Sequence, residues 1–112
     1  MLFLIVFIAA VLGGTTSAAE AASYRSCAPV HNPFPHTRYA GVDLTHIQAL
    51  HVSCATARRV ARDAERRALG ITPSPSGIRT FTWQGWHVTG DLRPVHDRYV
   101  ATKGGGRVQW RF

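Results

Sequence analysis

The stretch Ser53–Ala68, SCATARRVARDAERRA, decides the fold because it holds the clearest periodic pattern in the chain. Ser53 is a good N-cap residue, and Gly70 and Pro73 are typical of the residues that follow a helix end. Small side chains recur at helical spacings of three and four: Cys54, Ala57, Ala61, Ala64 and Ala68. Because this face is made of small residues, we predict a helix that packs closely on a sheet bearing large aromatic side chains.

A second face of the same helix is strongly basic. We expect Asp63 to pair with Arg59 and Arg67, one turn away on either side, and Glu65 to stay ionised among the arginines. The arginines that run along this face are expected to point into solvent, and they are candidate binding residues. They are Arg58, Arg62 and Arg66.

The segments around the helix predict the sheet. One strand, 42–49, precedes the helix, and IRTFTWQGWHVTG (78–90) follows it as a strand in which Gly85 marks a bulge. DRYVAT (97–102) and RVQWRF (107–112) are two further strands, joined by a glycine-rich hairpin turn. The predicted fold is α+β: one helix packed on a small antiparallel sheet, in the order strand–helix–three-stranded meander.

The last strand alternates strictly between apolar and polar residues. Trp110 and its apolar neighbours are expected in the core, while Arg107 and Arg111 lie on the opposite face and are candidate binding residues. The alternative is one sheet face with both aromatic rings and arginines, which would suit stacked nucleic-acid bases. The alternation favours the first arrangement, because it separates rings from cations.

The N-terminus has the pattern of an export signal. Met1–Ala19 contains no charged residue, begins MLFLIVFIAAVL and continues into small residues, as secretory signal peptides do. We predict a signal peptide over 1–21, an extended Pro- and His-rich arm over 22–41, and a single small α+β domain over 42–112. An uncleaved membrane anchor through 1–19 is the alternative. The predicted location is secreted or extracytoplasmic.

The chain has two cysteines, Cys27 and Cys54. An even count in an exported protein indicates a disulfide, and closing a loop of this length contributes about 3–4 kcal/mol in the chain-entropy model. We therefore predict that a Cys27–Cys54 bond staples the arm to the domain.

The composition is basic, with 13 Lys and Arg against 6 Asp and Glu among 112 residues. Removing 1–21 takes away Glu20 and raises the formal net charge from +7 to +8. Such an excess attracts anionic polymers, whether nucleic acid, cell-wall polyanions or lipid head groups, but it does not choose among them.

No constellation of residues predicts catalysis. A nucleophilic Cys54 would need a base such as His51 and an orienting carboxylate, and the spacing does not favour that set over a disulfide. The six histidines match no zinc-ligand spacing. We predict no catalytic residues, no metal and no cofactor.

The central motif resembles one found in a family of short exported proteins of actinobacteria and related phages. These proteins carry V-S-C-A-T-A-R-R-V-A-R after a signal peptide and an upstream cysteine, which here are Val52–Arg62 and Cys27; the match at Gly105–Phe112 is looser. The resemblance implies export and a Cys27–Cys54 bond, and it transfers no activity.

The sequence thus favours a small exported, non-enzymatic, monomeric protein that binds an anionic polymer or an envelope protein through its basic surface. Nucleic acid is a possible but not favoured partner. One alternative is an inhibitor or accessory factor that contacts a secreted enzyme through the loops 71–77 and 90–97. The other is a membrane-anchored version of the same domain.

Overall fold

The computed structural model describes residues 23–112. They form one helix and six strands, which in chain order are β1 (Arg25–Ser26), β2 (Thr45–Leu50), α1 (Cys54–Ala68), β3 (Ile78–Trp83), β4 (Trp86–Asp91), β5 (Arg98–Lys103) and β6 (Gly106–Arg111). The strands make a single antiparallel sheet in the order β1-β2-β6-β5-β4-β3. The predicted α+β class is confirmed.

The predicted topology is wrong in two respects, of which the first is that the segment after the helix forms a four-stranded meander. Gln84 and Gly85 have φ values of 44° and 81°, and a type I′ two-residue hairpin turn requires positive φ at both central positions. Trp83 and Trp86 therefore pair directly across β3 and β4 and share one face. The change of alternation that predicted a bulge at Gly85 is produced by this turn.

The N-terminal arm joins the same sheet. It supplies the edge strand β1, which pairs with β2, and Val30 forms a further bridge with Leu44. Phe34 is buried and packs edge-to-face against Phe112 with 5.5 Å between ring centroids. The arm is thus part of the folded unit.

The predicted helix is confirmed. The Ser53 hydroxyl accepts a hydrogen bond from the backbone N–H of Thr56 at 3.1 Å, which caps the first turn. Its alanine face is fully buried against the sheet, where Tyr99 and Trp110 stack with centroids 5.4 Å apart. Small side chains on the helix allow this close approach to large rings on the sheet.

The predicted disulfide is also confirmed. Cys27 and Cys54 are bonded, with Cα atoms 5.4 Å apart, so the bond ties the arm to the first residue of α1. Arg58 reinforces the link by donating to the carbonyl oxygens of Ala28 and Pro29 at 3.1 and 3.0 Å.

The sequence predicted that Glu65 lies among the arginines on the surface of the helix. This prediction is wrong, because Glu65 lies in the core. It is fully buried, and its Oε1 accepts a hydrogen bond from Trp110 Nε1 at 2.9 Å. Its Oε2 has no hydrogen-bond partner among the described residues. Glu65 stands four residues after Ala61 and three before Ala68, so it belongs to the buried face by helical spacing.

Burial raises the pKa of Glu65 to about 7, against a reference of 4.5, and the hydrogen bond from Trp110 only partly opposes this. Arg79 on β3 and Tyr99 on β5 lie on the same side of the sheet; Arg79 Nη1 donates to the Tyr99 hydroxyl at 2.9 Å. Burial also raises the pKa of nearby Asp97. The folded protein therefore binds a proton at Glu65 more tightly than the unfolded chain does.

We expect the free energy of unfolding to fall as the pH rises from about 4.5 to about 7 and to level off above that. Below pH 4.5 the carboxyl is protonated in both states, whereas above it the unfolded chain ionises first. The shift corresponds to about 3 kcal/mol. Urea denaturation at a series of pH values measures it.

Glu65→Gln should flatten this pH dependence, because the amide oxygen still accepts from Trp110 and nothing ionises. Asp63→Asn is the control, since Asp63 is on the solvent side of α1 and pairs with Arg62 at 2.9 Å. The assignment to Glu65 is wrong if Glu65→Gln keeps the full decline between these pH values.

Within residues 23–112 no helix is long and apolar enough to cross a membrane. The predicted signal peptide (1–21) and the alternative anchor (1–19) lie outside the described residues. A disulfide is consistent with an extracytoplasmic protein.

Candidate functional site: the open face of the sheet

The sheet has one face under α1 and one face that is partly exposed to solvent. Residues that point toward α1, such as Val88, Ala101 and Val108, are buried. The residues that alternate with them are half-buried or exposed in every strand of the meander. We call this second surface the open face. It is the part of the sheet available to a partner.

Cross-strand pairing arranges the open face in rows. The middle row is uncharged: Thr80, Thr89, Val100, Gln109 and Gln48. Arg107 lies in the row on one side, and Arg98 and Arg111 lie in the row on the other. Arg107 and Arg111 are four residues apart on β6, or about 13 Å. Cations thus flank a strip of hydroxyl and amide groups.

Arg98 and Arg111 are directly opposite each other on β5 and β6. Opposed side chains in an antiparallel pair have Cβ atoms about 4.5–5.5 Å apart, and like charges there are destabilising. Neither arginine has an ion pair with any carboxylate of residues 23–112. An anion bound between them would relieve this repulsion.

The nearest carboxylate of the open face is already occupied. Asp91 lies opposite Arg98, but Arg93 donates to both of its oxygens, at 2.9 Å each, and Arg93 N donates to Oδ1 at 3.1 Å. These bonds from Arg93 lower the pKa of Asp91 to about 2. Arg93 therefore competes with Arg98 for Asp91, which is the one carboxylate in the row of Arg98 and Arg111.

A shallow depression of about 210 Å³ lies on the open face between β2, β6 and β5. His46 stands beside it at an irregularity of β2, where the register with β6 shifts and His46 has a φ of 52°. A bulge of this kind re-aims a side chain out of the regular alternation. The residues that line the depression are His46, Gln48, Arg98, Tyr99, Val100, Gln109, Trp110 and Arg111.

The structure separates the five candidate binding arginines. Arg107 and Arg111 lie on the open face, where they are joined by Arg98, which is not among the predicted candidate binding residues. Arg58 is engaged with arm carbonyls. The remaining two, Arg62 and Arg66, pair with Asp63 at 2.9 and 3.8 Å. The sequence predicted Arg59 and Arg67 as the partners of Asp63 instead.

The large aromatic rings lie on the other side of the sheet. Trp86 and Trp110 are buried under α1, and Trp83 packs against the same cluster. The predicted separation of rings and cations in the last strand is confirmed. Tyr24 lies near the open face, and its hydroxyl accepts from Gln109 Nε2 at 3.1 Å.

The catalytic thiol and the metal site considered from the sequence can be compared with residues 23–112. Cys54 is bonded to Cys27 and is not a thiol. No group of three His, Cys, Asp or Glu side chains converges in the described part of the chain. The open face offers charge and hydrogen bonds.

Comparisons with protein-family models, with curated proteins and with solved structures found no match to this chain.

Proposed function

We propose that this protein is exported and, without catalysing a reaction, binds an anionic polymer of the cell envelope on its open face. The observation that carries the proposal is the direct opposition of Arg98 and Arg111 with no ion pair among the described residues. The formal net charge of +7 adds a long-range attraction for polyanions.

An extended polymer suits this surface better than a small anion does. The arginines lie in two rows about 13 Å apart along β6, which exceeds the reach of a single phosphate or sulfate. Between them, the hydroxyl of Thr89 and the amides of Gln48 and Gln109 offer hydrogen bonds to a polymer backbone. Consecutive anionic groups of one chain would meet both rows.

Nucleic acid is the less favoured polyanion. Binding of single strands without sequence preference combines a basic groove with aromatic rings on which bases stack. Here the tryptophans are on the α1 side of the sheet. The open face therefore favours a polymer whose repeating groups carry charge and hydroxyls but no bases.

The double variant Arg98→Gln/Arg111→Gln tests the proposal. Long-chain inorganic polyphosphate is the probe, titrated by calorimetry at salt concentrations from about 50 to about 300 mM. We expect roughly tenfold weaker binding at the lower salt. The slope of log affinity against log salt should fall by about 1.5, since two phosphate contacts are lost.

Arg59→Gln/Arg67→Gln is the matched control, because both arginines are exposed on α1 and their loss makes the same change in net charge. Its affinity should stay within about twofold of the parent protein. Equal losses in the two variants would mean that overall charge, not the open face, attracts the polymer. If the parent protein does not bind polyphosphate at low salt, the proposal is wrong.

A second candidate is an inhibitor or accessory factor of a secreted enzyme. Val95 is 97% exposed at the tip of the loop after β4. Backbone hydrogen bonds anchor this loop at both ends: Leu92 N to Gly77 O at 2.9 Å, and Asp97 to Phe112 in both directions at 2.9 and 3.0 Å. A single aliphatic side chain on an anchored loop suits a pocket in a partner protein.

The two candidates respond differently to salt and to substitution. Binding of a secreted enzyme through this loop would tolerate salt and would be lost in Val95→Ser while Arg98→Gln/Arg111→Gln retained it. Polymer binding would show the reverse.

A further inference from the structure

A cleft lies away from the open face, between the arm and the C-terminal end of α1. Its volume is about 590 Å³, within the range of pockets that hold small molecules. Its apolar walls are formed by Phe34, Tyr39 and Leu69, together with Pro33 and Pro35.

Two guanidinium groups line the cleft. Arg66 comes from α1, and its Cζ lies 5.8 Å from the centre of the Phe34 ring. Arg38 comes from the arm, and its Cζ lies 5.0 Å from the centre of the Tyr39 ring, while its Nη2 donates to the Tyr39 hydroxyl at 2.9 Å. Both guanidinium groups therefore lie within cation–π distance of a ring in the cleft wall.

The charges of the cleft are only partly compensated. Asp63 is the nearest carboxylate to Arg66, and it lies closer to Arg62 than to Arg66, at 2.9 against 3.8 Å. Arg38 has no ion pair among residues 23–112. The C-terminal end of α1 adds a partial negative charge of about half a unit, which two full positive charges exceed.

The arm side of the cleft is held in place by hydrogen bonds. Asn32 N donates to Asp43 Oδ1 at 2.9 Å, and Gly41 N donates to Asn32 Oδ1 at 2.8 Å. The Thr37 hydroxyl donates to the carbonyl of Phe34 at 2.8 Å. The wall that carries Arg38 and Tyr39 therefore exists before a ligand arrives, which lowers the entropic cost of binding.

We propose that this cleft is a second binding site, specific for a small carboxylate attached to an aromatic or aliphatic group. The carboxylate would accept hydrogen bonds from Arg38 and Arg66, since planar guanidinium groups match its geometry. The apolar part would contact Phe34, Tyr39 and Leu69. The site is independent of the open face.

Phenylbutyrate is the probe, and phenylbutanol is its neutral counterpart of nearly the same shape. Calorimetry and chemical-shift changes at Tyr39 and Gly70 should show phenylbutyrate binding to the full-length oxidised protein with about millimolar affinity. Phenylbutanol should bind at least about tenfold more weakly. Arg38→Gln/Arg66→Gln should reduce phenylbutyrate binding to the level of the alcohol.

Two variants with the same charge loss serve as controls. Arg59→Gln/Arg67→Gln and Arg98→Gln/Arg111→Gln should both keep phenylbutyrate binding, so failure of this site and failure of the open face are separate outcomes. Arg38→Lys/Arg66→Lys keeps the charge and should bind with an intermediate affinity. Equal binding of acid and alcohol, or equal losses in all three glutamine variants, would overturn the site.

Discussion

Gly90→Ala is expected to lower the free energy of unfolding by about 3 kcal/mol, a large share of the stability of a domain of this size. Gly90 lies on β4, one strand in from the edge of the sheet, opposite Tyr99 of β5. A Cβ atom on Gly90 would stand 2.7 Å from Cδ1 and 2.8 Å from Cζ of the Tyr99 ring. Such contacts require the ring or the strand to move.

Two kinds of contact hold the Tyr99 ring in place. It stacks on Trp110 on its other side, with an interplanar angle of 7°. Its hydroxyl accepts from Arg79 Nη1, and Arg79 Nε in turn donates to the Ile71 carbonyl at 2.7 Å. Displacing Tyr99 would therefore disturb the stacked pair and the polar contacts together.

Gly105→Ala is the matched control, because a Cβ there meets nothing within 4 Å. Guanidinium denaturation of both variants measures the difference. A double-mutant cycle with Tyr99→Ala adds a second test: once the ring is absent, Gly90→Ala should cost little more. Equal stabilities of the two glycine variants would show that the sheet absorbs the methyl group.

Removing the disulfide is expected to lower the free energy of unfolding by about 3.5 kcal/mol in the chain-entropy model. The bond joins residues 27 apart in sequence, so its loss frees a long loop in the unfolded chain. Cys27→Ser/Cys54→Ser and reduction of the parent protein should give the same loss in denaturation experiments.

The folded structure should change little when the bond is removed. Cys27 N still donates to Ile47 O at 2.8 Å, and Arg58 still holds the arm carbonyls. Arg58→Gln in the oxidised protein is the control for these contacts and should cost about 1 kcal/mol or less. A loss below about 1 kcal/mol for the serine variant would contradict the entropic account.

The elements that could be predicted are those whose pattern is local. The alternation around Trp110 and the small-residue spacing after Ser53 are repeated over several residues, and both elements are found. The β3–β4 hairpin was missed because Gln84 is not a usual residue at positive φ. A two-residue turn places Trp83 and Trp86 on the same face of the sheet, and a bulge within one strand would do the same.

Glu65 could have been placed from the sequence, since it follows Ala61 by four residues. The prediction placed Glu65 on the surface because the side chain is acidic, although its helical spacing from Ala61 indicates the buried face. The use of the arginines could not be predicted, because Arg58 meets the arm and Arg98 meets Arg111 only after distant segments come together. Side-chain partners across the sheet depend on register, which a single strand does not specify.

The sequence by itself determined the helix, the last strand, the pairing of its two cysteines and the excess of positive charge, because each depends on local spacing or on a simple count. The tertiary structure decided which arginines remain without a carboxylate. Register places Arg98 opposite Arg111, and folding of the arm onto α1 places Arg38 and Arg66 along one cleft. Both candidate sites arise from residues far apart in the chain, and only the packed structure brings their charges within reach of one ligand.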